Sequence, residues 1–209
     1  MSDIQLVIFD CDGVLIDSEI VAAAAELEVY SQYGVEMDPH EFSSLMAGLH
    51  SEDVKKRIED ELEQVLPDTV LEETRALVNE KVIHEAEKIQ DVDWVLDQLD
   101  QARCICSNSP FERLEKGLKR LGLFDRFRPF VFSAQEYDPP VYKPRPDIFH
   151  KAIEEFGVSP EQTVVVEDSI PGVQGAVAAG CHVVGLPLCR QDRWLLAGRR
   201  RRPNSHHRG

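Results

Sequence analysis

Two carboxylates two residues apart, Asp10 and Asp12, stand at the end of the apolar run Ile4-Gln5-Leu6-Val7-Ile8-Phe9. On an extended chain, residues i and i+2 project to the same side, so both acids address one small volume. Crowding two ionised carboxylates at the edge of a core costs free energy unless a cation lies between them. Gly13 follows, and its missing Cβ allows a sharp turn where a side chain would obstruct. Three later segments suit the same chemistry. Cys106-Ser107-Asn108-Ser109 offers a hydroxyl and a turn of backbone N–H groups at a helix entry, fit for a phosphate oxygen. Lys143 stands in the proline-rich stretch Val141-Tyr142-Lys143-Pro144-Arg145-Pro146-Asp147, ahead of a helix. Val164-Val165-Val166 runs into Glu167-Asp168-Ser169, a second acidic pair at a strand end.

Taken singly, these pieces read as ordinary turn chemistry, a helix cap or a solvated loop. Together, at the strand ends of one sheet, they present carboxylates, a hydroxyl and a lysine to one place. Asp10, Asp12, Glu167 and Asp168 cannot all ionise there opposite Lys143 alone. A hard divalent cation resolves the imbalance, and Mg²⁺ favours a few carboxylates plus waters and a substrate phosphate. Asp10 is placed to attack phosphorus and form an aspartyl phosphate, provided metal and lysine neutralise the phosphomonoester. Asp12 would protonate the departing alkoxide, then take a proton from the hydrolytic water.

The elements that must position these groups are short buried strands separated by helices. Strands are expected at Ile4–Phe9, around Cys104–Cys106, at Phe130–Phe132, Val164–Val166 and His182–Leu186. Between them, Phe111, Leu114, Leu118 and Leu121 make one helical stripe, and Ile148, Phe149, Ala152, Ile153 and Phe156 another. A third helix begins at Pro171 and is rich in small residues. Alternation of this kind predicts an α/β fold with a doubly wound parallel sheet. From Ser18 to Ile89 the rhythm breaks: helical spacing runs through Ile20–Tyr30, through Val54, Ile58, Leu62 and Val65, and from Val70 onward, with no convincing strand. The expected domains are therefore an α/β core of residues 1–17 and 90–186 and an inserted helical cap of residues 18–89. The cap would lie over the carboxyl ends of the strands, where such folds bind ligands.

Composition narrows the partners. The 209-residue chain carries a formal charge of −15, which argues against non-specific binding to nucleic acid or anionic membrane. No apolar run of about 18 residues or more is present, so no transmembrane helix is expected, and no export signal is recognisable at the amino terminus. Five cysteines without paired metal spacing (Cys11, Cys104, Cys106, Cys181, Cys189) suit buried thiols in a reducing cytoplasm. A monomer acting on a small phosphorylated metabolite is expected. Residues 187–209 differ in character: they carry seven arginines and one acid, a net +6 against −21 for the rest. They read as a poorly ordered basic tail, with a functional basic arm or a sequence foreign to the fold as the other readings.

The four motifs, in this order, resemble the haloacid dehalogenase superfamily, in its helical-cap phosphatase and phosphomutase branch. The resemblance spans roughly residues 4 to 186 and includes Asp17-Ser18-Glu19 after the first motif. It implies that Asp10 is the nucleophile and Asp12 the acid/base, that Ser107, Asn108 and Lys143 hold the phosphoryl group, and that Mg²⁺ is bound by Asp10, the main-chain carbonyl of Asp12 and Asp168, with Glu167 beside it. The second aspartate speaks for phosphate chemistry rather than dehalogenation. The β-phosphoglucomutase-like branch, a sugar phosphomutase alternative, carries an early cap histidine where this chain has Ala22. Its basic cap-loop positions fall on Ala47 and Ser51 within Met46-Ala47-Gly48-Leu49-His50-Ser51-Glu52. Hydrolysis is therefore expected, with His50 as a candidate substrate contact. A receiver-type phosphoacceptor module combines similar residues, but its acidic pair precedes the phosphoacceptor, the reverse of the order here.

Overall fold

The computed structural model describes residues 3–46, 49 and 51–186. His50 and the basic tail from residue 187 onward lie outside the described residues. Along the chain the strands are β1 (Leu6–Phe9), β2 (Ile16–Asp17), β3 (Glu87–Lys88), β4 (Ala102–Ser107), β5 (Val131–Ser133), β6 (Thr163–Glu167) and β7 (His182–Gly185). The helices are α1 (Glu19–Ser31), α2 (Pro39–Met46), α3 (Ser51–Leu62), α4 (Thr69–Glu85), α5 (Val92–Asp97), α6 (Phe111–Arg120), α7 (Asp147–Phe156) and α8 (Ile170–Ala178).

Five strands form a parallel sheet in the order β5-β4-β1-β6-β7, the doubly wound arrangement expected. β1 lies at its centre, with Phe9 opposite Ile105 of β4 on one side and Val166 of β6 on the other. All four β1 residues are buried, as a strand covered by helices on both faces requires. Their alternation divides the core in two. Val7 and Phe9 pack with Leu96, Leu114, Leu118 and Phe127 on the side of α5 and α6, while Leu6 and Ile8 pack with Ile148, Phe149 and Ala176 on the side of α7 and α8. The chain leaves β1 first toward β4 and later returns to its other edge with β6. That reversal of direction opens a crevice at the carboxyl ends of the central strands.

Helices α1 to α4 fall between β1 and β4 and enclose their own apolar cluster, including Leu27, Tyr30, Phe42, Val54, Ile58 and Val70. Three details depart from the sequence reading. β2 and β3 pair antiparallel at the base of the insertion, Ile16 opposite Lys88 and Asp17 opposite Glu87, and strands of two residues offer no period to read. Helix α3 stops at Leu62, because Glu63 turns to φ 51°, and Val65 is an exposed side chain rather than the next rung of the stripe. Helix α2 was not anticipated; Pro39 opens it and the Asp38 carboxylate accepts from His40 N–H at 2.8 Å, a proline start with an acidic cap. The insertion is tied to the sheet layer through α6. Arg120 Nε donates to the Ile83 carbonyl at 2.6 Å and a second guanidinium nitrogen donates to that of Ala86, satisfying carbonyls that the end of α4 leaves open. Among the described residues no helix is long and apolar enough to cross a membrane.

Candidate active site

The chemical motifs converge because β4, β1 and β6 are neighbours and end on the same edge. Asp10 directly follows β1, and its N–H still donates to the Val166 carbonyl at 2.9 Å, so its position is set by the sheet. Lys143 arrives from the loop before α7. Asn108, just past β4, accepts the Lys143 backbone N–H on its side-chain oxygen at 3.0 Å, so this asparagine anchors the lysine loop through Oδ1. Lys143 Nζ then lies 2.6 Å from Asp10 Oδ1 and 2.6 Å from Glu167 Oε1. Only 3% of Lys143 and none of Glu167 is exposed. Helix α8 makes room for this loop with glycine: a Cβ on Gly175 would stand 3.0 Å from the Pro144 carbonyl oxygen.

Glu167 has no spare capacity. Its second oxygen accepts from Asp168 N–H, Ser169 N–H and Ser169 Oγ, each at 2.9 Å. Ser169 in turn caps α8, its Oγ accepting from Gly172 N–H at 3.0 Å. Asp168 receives no side-chain donor among the described residues. Gly13, at φ 74°, brings backbone against it: a Cβ there would lie 1.7 Å from Asp168 Oδ2. The obstruction expected at Gly13 is this carboxylate. Carboxylate oxygens of Asp10, Glu167 and Asp168 all lie within 4.8 Å of one another.

Asp12 is held differently. Ser18 Oγ donates to its Oδ1 at 2.7 Å, and Oδ2 accepts from Ser109 Oγ and from Arg113 at 2.7 Å. Its carboxylate is not part of the Asp10–Glu167–Asp168 cluster. Ser107, at the end of β4, is buried, and its Oγ accepts from Ser109 N–H at 3.1 Å, forming the turn that opens toward α6. Arg113 was missed in the sequence. A physical signal was available: it stands in the first turn of α6, where the helix dipole disfavours a cation unless an acid faces it.

The acids titrate accordingly. Burial pushes Asp10 up to about 8, with Glu167 and Asp12 adding to the rise and Lys143 opposing it. Burial, with Glu167 next in weight, raises Asp168 to about 7. Asp12 goes the other way: burial opposes its charge, but Arg113, Ser109 and Ser18 hold it below the usual carboxylate range. Burial works against the Lys143 charge too, and the two carboxylates at its head outweigh it and raise its pKa. Cys11, Cys104, Cys106 and Cys181 are free thiols, and none donates to or accepts from these groups.

Residues 4–180 match the family model of haloacid dehalogenase-like hydrolases. A 6-phosphogluconate phosphatase of Escherichia coli (strain K12) is 29% identical over 184 residues, covering 88% of this chain and 82% of the relative. Hexitol phosphatase B of the same organism is 31% identical over 206 residues, covering 91% and 88%. Among solved structures, the haloacid dehalogenase-like protein ATU0790 of Agrobacterium tumefaciens str. C58 superposes with a TM-score of 0.83 at 37% identity, covering 93% of this chain and 90% of that one. With the ordered motifs and the parallel sheet that joins them, these likenesses establish that the chain belongs to the haloacid dehalogenase-like hydrolases.

Proposed function

We propose that the protein is a phosphatase of small phosphomonoesters, sugar or sugar-acid phosphates, working through an aspartyl phosphate on Asp10. The observation that carries this reading is Lys143 Nζ bridging Asp10 and Glu167 at 2.6 Å each, beside Asp168, at the carboxyl end of the central strands. The names of the relatives, a 6-phosphogluconate phosphatase and a hexitol phosphatase, support the substrate class.

The donor set fits a hard divalent ion. Asp10 and Asp168, with Glu167 beside them, offer only oxygen atoms, and the raised acids mark negative charge short of a counter-ion. Asp10, the Asp12 carbonyl and Asp168 would hold Mg²⁺, which when bound supplies positive charge opposite the phosphoryl oxygens. The chain's own residues do the rest. The Asp10 carboxylate attacks phosphorus; its bond to phosphorus forms as the bond to the leaving oxygen breaks. Lys143, Ser107 and the Asn108 turn hold the phosphoryl oxygens as charge shifts onto them. Asp12, ionised at rest, takes up a proton from solvent as substrate binds and gives it to the leaving oxygen. Water then attacks the aspartyl phosphate, Asp12 takes one of its protons, and inorganic phosphate leaves with Asp10 restored.

In the same reading residues 18–89 form a cap over the core of residues 1–17 and 90–186. It closes about residues 15–18 and 89–92, where the β2–β3 pair and the Ile89 N–H to Leu15 carbonyl bond strap the two crossings together. Closure would exclude bulk water while the phosphoenzyme forms. The reading also places the protein in the cytoplasm.

The test is inorganic phosphate release from a panel of sugar, polyol and sugar-acid phosphates, with Mg²⁺ and with chelator, alongside a glucose 1-phosphate isomerisation assay. Mg²⁺-dependent release, abolished by Asp10→Asn, is expected. Isomerisation outpacing release would make the protein a mutase, and undiminished turnover by Asp10→Asn would remove the covalent mechanism.

A further inference from the structure

Asp12 is caught between the sheet layer and the helical insertion. Its donors come from three places: Ser18 immediately precedes α1, Ser109 follows β4, and Arg113 projects from α6. The guanidinium does more than face this acid. It also donates to Ser109 Oγ, and its other terminal nitrogen reaches Asn79 Oδ1 on α4 at 3.3 Å. One side chain thus joins an acid beside the phosphoryl site to a helix of the insertion. The Arg113 side chain is 17% exposed, and a cation so enclosed in the first turn of a helix is placed against the dipole, so the arrangement is held by its acid partner.

The donors are not equivalent. A serine hydroxyl both donates and accepts, so Ser18 and Ser109 can stay with Asp12 whether or not it carries a proton. A guanidinium only donates. Arg113 is therefore the partner that fixes the direction of the carboxylate, and Asn79 on α4 in turn fixes Arg113.

We propose that Arg113 is a positioning residue for Asp12, holding the carboxylate against α6 and tying its placement to Asn79 on α4 of the insertion. The proposal rests on the reading of Asp12 as the acid/base. Arg113 itself touches neither substrate nor phosphoryl group; it acts through Asp12. The proton inventory is unchanged: the proton passed to the leaving oxygen is the one Asp12 later recovers from water.

The test compares two substrates on folded variants, with thermal melts as the check on folding. An aryl phosphate leaves without help, whereas a hexitol phosphate needs a proton delivered to its leaving oxygen. Arg113→Met is expected to lower kcat/KM, which reports phosphoryl transfer to Asp10 and not the later water attack, about tenfold for the hexitol phosphate and far less for the aryl phosphate. Arg113→Lys restores most of the loss, and Asn79→Ala reproduces it in part. Asp12→Ala alone supplies the control. If it lowers kcat/KM equally for both substrates, the acid/base reading fails and the Arg113 role falls with it. If Asp12→Ala shows the substrate difference, adding Arg113→Met is expected to cost nothing further, since the arginine acts through the missing acid. A second tenfold loss in that background, or equal losses on both substrates from Arg113→Met alone, overturns the proposal and leaves the acid/base reading standing.

Discussion

Replacing Lys143 with methionine removes one charge from the most enclosed ionic cluster among the described residues and keeps the side-chain volume nearly constant. Lys143 Nζ is 2.6 Å from both Asp10 and Glu167, with 3% of the residue exposed. Taking one partner from a buried ion pair costs roughly 3–5 kcal/mol, because the other charge stays behind without its counter-ion. Here two acids stay behind. Glu167 keeps its three other donors, so Asp10, with no other side-chain donor among the described residues, bears most of the loss.

The sign of the pH dependence follows from Asp10. Its pKa is already about 8 with the lysine in place and rises further without it. A carboxyl raised in the folded state binds protons that the unfolded chain has released, so folding stability falls as pH rises toward the folded pKa. Urea denaturation in metal-free buffer is therefore expected to show a loss of about 3–5 kcal/mol for Lys143→Met at pH 10, two units above the Asp10 pKa, where the wild-type carboxylate is ionised. At pH 6, where a protonated Asp10 no longer needs the cation, the loss shrinks to about 1–2 kcal/mol. A loss below about 1 kcal/mol at pH 10, or an equal loss at pH 6 and pH 10, would refute the claim that this lysine balances the acid pair.

Metal binding must compete with the same protons. Asp168 at about 7 is largely protonated at pH 6 and ionised at pH 8, so Mg²⁺ affinity measured by calorimetry should rise at least about tenfold between them, with protons released into the buffer; flat affinity would contradict the assignment of Asp168. Gly172→Ala should depress both thermal stability and phosphate release, because its Cβ would stand 1.7 Å from Glu167 Oε1 and force that carboxylate off Lys143; a variant with normal turnover would show that Glu167 need not hold the lysine.

The sheet was legible because its strands are short apolar runs separated by helices with clear stripes, and β1 in particular is apolar on both faces. The motifs were legible for a different reason: each combines residue types that are costly to place at a strand end without a purpose. The β2–β3 pair and the α3 terminus were not, since two-residue pairing and a left-handed Glu63 leave no mark on apolar spacing. Arg113 and Asn79 were hidden for a third reason. Their meaning lies in a contact between helices 34 residues apart, and neither position disturbs the pattern of its own helix.

What spacing could not reveal is that the four acids at the strand ends are of two kinds. Hydrogen bonding sorts them. Glu167 and Asp12 have both oxygens occupied, by Lys143 and the β6–α8 turn in one case and by two serines and Arg113 in the other. Among the described residues Asp10 has Lys143 as its one side-chain donor and Asp168 has none, and burial raises the pKa of both. An acid already saturated by the protein is poorly disposed to ligate a metal ion, whereas an under-coordinated one gains most from a new positive partner. The open pair is therefore the one assigned to the nucleophile and the metal, and the saturated pair is the one assigned to holding Lys143 and to moving a proton. The same residue types in a row would carry no such distinction; it arises from which neighbours the fold brings to each carboxylate.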